Sequence, residues 1–247
     1  MRFPDRTIRS VNDLTSYLES DSRTFSGPVW YRGQSDLQWN LKPSIYRLKK
    51  SINEMDLLKR FKLNATMLLD GLPDRPYEWL FVMRHYSVPT RLLDWTESPL
   101  VAAYFAARRR RKAGAIWVLS PISLNKQEGR SFTNIDTSLP SFGEDPGIVN
   151  QYAPSSEFET QPGALPPLAI SAPRNNQRMQ AQLGTYTIHH LRKTPIERVG
   201  DATHVWRFII PGSYKKKIMK ELRTLGITQF QMFPELESIG RAIAEEV

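Results

Sequence analysis

Between His85 and Leu100 the chain reads His85-Tyr86-Ser87-Val88-Pro89-Thr90-Arg91-Leu92-Leu93-Asp94-Trp95-Thr96-Glu97-Ser98-Pro99-Leu100. An imidazole, a guanidinium, a carboxylate, an indole and several hydroxyls follow one another here, and an apolar helix then begins. An imidazole moves a proton near neutral pH. A guanidinium fork grips phosphate oxygens two at a time. A carboxylate steadies a developing positive charge. A hydrophobic core has no use for these groups side by side, whereas a concave ligand site does. A second cluster, Trp30-Tyr31-Arg32-Gly33-Gln34, ends an apolar run on a charge. Arg32 is the strongest single candidate, either as a ligand-binding fork or as a buried arginine tied to Asp94. His85 reads as a general base or ligand donor, or as a tie between a loop and backbone. Arg91 and Asp94 stand three positions apart and either serve a ligand or pair with each other.

Bulk composition narrows the function class. The chain has 247 residues, 34 Lys and Arg against 25 Asp and Glu, a formal net charge of +9, and no cysteine. Disulfides, thiolate metal sites and thiol catalysis are excluded. The positive balance favours an anionic partner: a nucleotide, a nucleic acid or an acidic protein. Arg108-Arg109-Arg110-Arg111-Lys112 and Lys215-Lys216-Lys217 are the densest basic runs. Either could contact phosphates, or simply keep a helix face solvated. The N-terminal residues lack the apolar core of a signal peptide, and no stretch approaches a membrane span. A cytoplasmic protein without membrane contact is expected. The phosphate-loop, dinucleotide, zinc-protease and nucleophile-elbow patterns are absent. His189, His190 and His204 lack a helical zinc spacing, so no metal is expected.

Hydrophobic periodicity places these residues on elements. A helix from Ser10 to about Ser20 is followed by a strand, Val29 to Arg32, ending at Gly33. Ser51 and Glu54 read as a capping box before a helix with the stripe Met55, Leu58, Phe61, Ala65 and Leu68, ending near Gly71. A helix from Tyr77 to Tyr86 leads into the central run. Ser98-Pro99 starts a helix expected to reach Lys112, and Ala115 to Leu119 is a buried strand. A long loop is expected over about 121–163. Leu168–Ile170 reads as a short apolar strand, Thr185–His189 alternates as a half-buried strand should, and Val205–Ile210 is a further strand; helices are expected at Asn175–Gln182 and from Ser213. Gly226 caps the latter, and a last helix spans Leu236 to Val247. Irregular mixing of helices and strands favours a single α+β domain over residues 10–245, with a mixed-sheet core, an N-terminal helical portion and a C-terminal helix.

Several motifs resemble the FRG domain, named for a Phe/Tyr-Arg-Gly motif. They are Tyr31-Arg32-Gly33, Pro43-Ser44-Ile45-Tyr46-Arg47, His85-Tyr86, Pro89 to Thr96 and Tyr104-Phe105-Ala106, with Arg178, Gln182, Gly184, Tyr186 and Phe233-Pro234 downstream. Arg84 and Ser87 depart from the pattern, which has Gln and Gly there. The family is bacterial and phage-associated, which implies a toxin or phage-defence setting. A weaker resemblance reaches the ADP-ribosyltransferases of the Arg-Ser-Glu class, whose fold the sheet would share and whose cofactor is NAD. On that mapping Arg32 is the strand arginine, Asp94-Trp95-Thr96 falls at the Ser-Thr-Ser strand, and Gln182 falls near the catalytic glutamate. The resemblance thus implies catalytic roles for Arg32, His85, Asp94 and Gln182. It implies NAD-binding roles for Tyr31, Gly33, Tyr86, Arg91, Trp95 and Thr96. Tyr31, Tyr86 and Trp95 would stack on nicotinamide or adenine, and Thr96 would meet a ribose or hold Arg32. Gln182 is uncharged and cannot stabilise a cationic ribose, so transfer would need Asp94 or Glu97 in its place. The alternative is a non-enzymatic nucleic-acid-binding module.

Overall fold

The computed structural model describes the chain except residues 26, 51, 70, 110–111, 128–138, 142–148, 156–164, 172–173, 175 and 245–247. Seven strands form one mixed sheet: β1 (Arg6–Thr7), β2 (Trp30–Gln34), β3 (Leu92–Thr96), β4 (Gly114–Leu119), β5 (Leu168–Ile170), β6 (Gly184–Ile188) and β7 (Val205–Ile210). Their order is β1-β7-β4-β2-β3-β6-β5, and only the β1–β7 pairing is parallel. The fold is α+β, as the irregular element order requires. The two polar clusters of the sequence therefore become neighbours, because β2 lies beside β3. Their ladder is short. β2 shares five register pairs with β4 and β3 shares five with β6, but β2 and β3 share only Tyr31 opposite Thr96.

Period two divides β2 between the sheet's faces. Tyr31 packs with Ile116, Val118, Trp206 and Phe208 under α1 (Val11–Ser22) and α4 (Pro99–Ala107). Trp30 packs on the other face with Trp95, Trp117 and Leu119. A third cluster joins α2 (Glu54–Ala65) and α3 (Pro76–His85) to β3, β5 and β6 through Leu58, Leu80, Leu92, Leu168 and Ile188. Each such side chain contributes roughly 1.5–3 kcal/mol by leaving water. Ser10 and Ser98 cap α1 and α4 by accepting the amides of Asp13 and Val101. α4 is almost wholly apolar and lies so close to β2 that a Cβ at Gly33 would overlap the Ala102 carbonyl. Glycine in the Tyr-Arg-Gly run is thus a helix-docking requirement.

Several expected boundaries shift. α2 is capped by Asn53, which accepts the Met55 amide at 2.7 Å, because Glu54 is engaged by Arg91; Ser51 lies outside the described residues. α2 stops at Ala65, and Leu68 is exposed rather than part of the stripe. α4 ends at Ala107 instead of Lys112, since the chain turns so that Lys112 pairs with Asp36 at 2.6 Å. The segment expected as loop contains α5 (Pro121–Asn125), capped by Ser120, and a helical turn, Asn150–Tyr152; most of the remainder lies outside the described residues. Downstream helices are α6 (Gln177–Ala181), α7 (Lys215–Thr224), α8 (Gln229–Met232) and α9 (Leu236–Ala244); the helix expected from Asn175 starts at Gln177 after its cap Asn176, and the last three positions of the helix expected to Val247 lie outside the described residues. Gly226 follows α7 at φ +81°, the left-handed geometry that suits a C-terminal glycine. No helix among the described residues is long and apolar enough to cross a membrane.

Candidate functional site

Where β2 and β3 part, a cavity of about 220 Å³ opens, walled by β2, β3, α3, α4, α6 and the start of β6. Tyr31, Arg32, Gly33, His85, Asp94, Trp95, Thr96 and Gln182 all border it, together with Arg84, Arg178 and Tyr186. Tertiary folding thus gathers residues far apart in sequence.

Arg32 lies at the seam of the two strands. Its Nη1 donates to the Asp94 carbonyl at 2.6 Å, where the β2–β3 ladder has ended, and stands 3.5 Å from Asp94 Oδ2. Its buried Nε has no hydrogen-bond partner among the described residues. Burial draws the guanidinium down to about 10, against the pull of Asp94 and with the help of Arg84 and Arg47. Arg47 comes from the turn Ser44–Arg47 of the Pro-Ser-Ile-Tyr-Arg motif. Arg84 clamps Asp94 with both ends of its fork: Nε donates to Oδ1 at 2.8 Å and Nη2 donates to Oδ2. Burial alone would raise the Asp94 carboxyl. The charge and hydrogen bonds of Arg84, and then the charge of Arg32, outweigh burial and hold it far below the usual carboxylate range. Arg178 stacks on Phe233 at 4.7 Å and meets Glu235 only at 3.9 Å.

The remaining residues divide between site and scaffold. His85 is lowered by burial and by the Arg178 charge, so it is neutral at pH 7. Thr96 donates to the Gln182 carbonyl at 2.6 Å and accepts the Ser98 amide at 3.0 Å, which ties β3 to the turn before β6. Gln182 donates to the Met232 carbonyl at 2.7 Å and so anchors α8 beside the cavity. Tyr31 is buried, and desolvation pushes its phenol up to about 12.

Of three expected ligand contacts, Trp95 borders the cavity without an open ring and the other two lie elsewhere. The Trp95 indole is in the core cluster and donates to the Thr187 hydroxyl at 3.0 Å, so it offers no open ring face. Tyr86 is 58 % exposed and outside the cavity wall. Arg91 does not pair with Asp94 and does not reach the cavity. It is buried against Glu54 (Nε–Oε2 2.5 Å) and donates to the carbonyls of His189 and Tyr152. Odd and even positions of β3 face opposite ways, and Arg91 precedes the strand on the side of α2. Glu97 is paired with Arg174 at 2.5 Å, outside the wall. Arg84 was not among the expected site residues, although it stands in the last turn of α3 beside His85 and departs from the family pattern. Ser87, the other departure, has φ +63°, the backbone conformation that explains a glycine there.

An α+β domain with an arginine-rich cavity at the seam of two central strands is therefore the class that fold and site define. Residues 27–115 match the family described as FRG domain. The match runs from before β2 into β4 and includes Arg32, Arg84, His85 and Asp94; Arg178, Gln182 and Phe233 lie beyond it. No curated protein and no solved structure matches the chain. The resemblance to ADP-ribosyltransferases accordingly rests on the residues quoted for it alone.

Proposed function

We propose that this FRG domain binds a phosphorylated nucleotide of the NAD or ADP-ribose class in the cavity beside Arg32. The observation that carries the reading is charge: the wall holds the guanidinium groups of Arg32, Arg84 and Arg178 against the single carboxylate of Asp94. Arg32 keeps a buried Nε without a partner, a donor suited to a phosphate oxygen. At about 220 Å³ the cavity is smaller than the about 300–1,000 Å³ of ordinary small-molecule sites. It therefore suits the phosphate portion of a dinucleotide better than the whole molecule.

The residues fit NAD as a bound ligand better than as a glycosyl donor. When bound, NAD would supply a glycosidic bond whose cleavage leaves a cationic ribose. Asp94, the only carboxylate in the wall among the described residues, is held by Arg84, and the Gln182 amide carries no charge. Binding without transfer is the reading we favour; a toxin or phage-defence role rests on the family resemblance. The nucleic-acid alternative draws little support from the basic runs. Lys215 is buried and donates to the Ser35 and Arg109 carbonyls, Lys112 is paired with Asp36, and Arg108 lies over Phe233. Arg110 and Arg111 lie outside the described residues.

Calorimetry with NAD, ADP-ribose and a single-stranded oligonucleotide tests the reading, with chromatography for released nicotinamide. Saturable binding of NAD or ADP-ribose and no nicotinamide release is expected. Oligonucleotide binding with no response to either nucleotide refutes it.

A further inference from the structure

The cavity contains its own anion, and the geometry around that anion is uneven. Arg84 grips Asp94 through two parallel hydrogen bonds, whereas Arg32 reaches the same carboxylate only at 3.5 Å and through Nη1 alone. The main hydrogen bond of Arg32 goes instead to the Asp94 backbone carbonyl. A small rotation of the Asp94 side chain toward Arg32 would close that gap and use the fork that a phosphate needs. Arg84 is what holds the carboxylate back. Other carboxylates do not compete for this part: Glu97 is spent on Arg174, and Glu235 faces Arg178 at 3.9 Å.

We propose that Asp94 is an internal competitor for the ligand's phosphate, and that Arg84 is a positioning residue that keeps it off Arg32. The inference rests on the phosphate-binding reading above and assigns roles within that site. In the free protein Asp94 offsets the mutual repulsion of Arg32, Arg84 and Arg178. In the complex the phosphate takes over that task at Arg32 and Arg178, while the Arg84–Asp94 clamp remains. Arg84 then matters to binding without touching the ligand.

A double-mutant cycle separates this from direct contact, because coupling between the two sites is what it measures. Arg84→Gln releases Asp94 onto Arg32, and the affinity for ADP-ribose is expected to fall at least tenfold. Arg84→Gln with Asp94→Asn removes the competitor as well, and affinity is expected to return to within about threefold of the unmodified protein. The double variant keeps the charge balance of the cavity, so it remains measurable even where Asp94→Asn alone is too unstable to purify. Asp94→Asn alone is expected to melt at lower temperature without ligand, yet to bind ADP-ribose at least fivefold more tightly. A double variant as weak as Arg84→Gln alone would overturn the inference, since Arg84 would then hold the ligand itself. Weaker binding by Asp94→Asn would overturn it too. If the unmodified protein does not bind ADP-ribose, the phosphate-binding reading fails and this inference fails with it. Binding by the unmodified protein without rescue in the double variant sinks the inference alone.

Discussion

Replacing Arg32 by alanine should damage binding severely and folding moderately, and the structure sets both sizes. In the free protein the lost group is the Nη1 donor to the Asp94 carbonyl, in a region where β2 no longer supplies a ladder partner. A carbonyl left without its partner costs about 1–3 kcal/mol. In a chain of this size each 1 kcal/mol lowers the melting temperature by roughly 2–4 °C, so a fall of about 2–12 °C follows. Part of that loss is recovered, because one cation is removed from beside Arg84 and Arg47. In the complex the lost group is a charged donor to phosphate, worth about 1.5–3 kcal/mol, or roughly ten- to 150-fold in affinity. Differential scanning fluorimetry measures the first effect, and calorimetric titration of ADP-ribose at 25 °C measures the second. Unchanged affinity in a folded Arg32→Ala protein refutes the assignment of the cavity. A protein already unfolded at 25 °C shows instead that Arg32 is mainly structural.

Three further outcomes follow from the surrounding structure. Glu54→Gln leaves the Arg91 guanidinium buried without its counter-charge and should destabilise the fold by about 3–5 kcal/mol; urea unfolding checks it, with ADP-ribose affinity of the folded fraction unchanged because Arg91 is outside the cavity. Gly33→Ala drives a methyl into the Ala102 carbonyl, and because α4 must move away from β2 the cost should reach about 1–3 kcal/mol or more, read as a lower melting temperature. Burial holds the His189 imidazole neutral down to about 3 against an ordinary value of 6.5. The unfolded chain takes up that proton first, so this share of stability is complete above about pH 6.5 and is lost by about 1.4 kcal/mol per pH unit as pH falls toward 3. Urea titrations at pH 7, 5.5 and 4 should show a shallower decline for His189→Gln than for the unmodified protein, and equal slopes contradict the assignment.

The sequence alone determined much of the local structure. Ser10, Ser98-Pro99 and Gly226 fix helix ends by capping chemistry that needs no distant partner. Period two put Trp30 and Tyr31 on opposite faces of β2 for the same reason, whereas Thr185 to Ile188, whose alternation reads as half-buried, is buried throughout because the sheet is covered on both faces there. Arg32, His85 and Asp94 were legible as one candidate set because clustered polar groups beside apolar elements have few structural uses, and Gln182 joined them through the family resemblance. What the tertiary structure decided is which charges meet. Arg91 and Asp94 are close in sequence, yet the turn into β3 sends Arg91 to Glu54 on α2 and leaves Asp94 to Arg84 on α3. Trp95 and Tyr86 carry the ring chemistry of a stacking platform, but packing placed one in the core and the other in solvent. Lys215 reads as part of a basic run and is buried on two carbonyls. Ion pairing depends on the approach of elements distant along the chain, and the short β2–β3 ladder that opens the cavity is set by the pairing of both strands with their other neighbours.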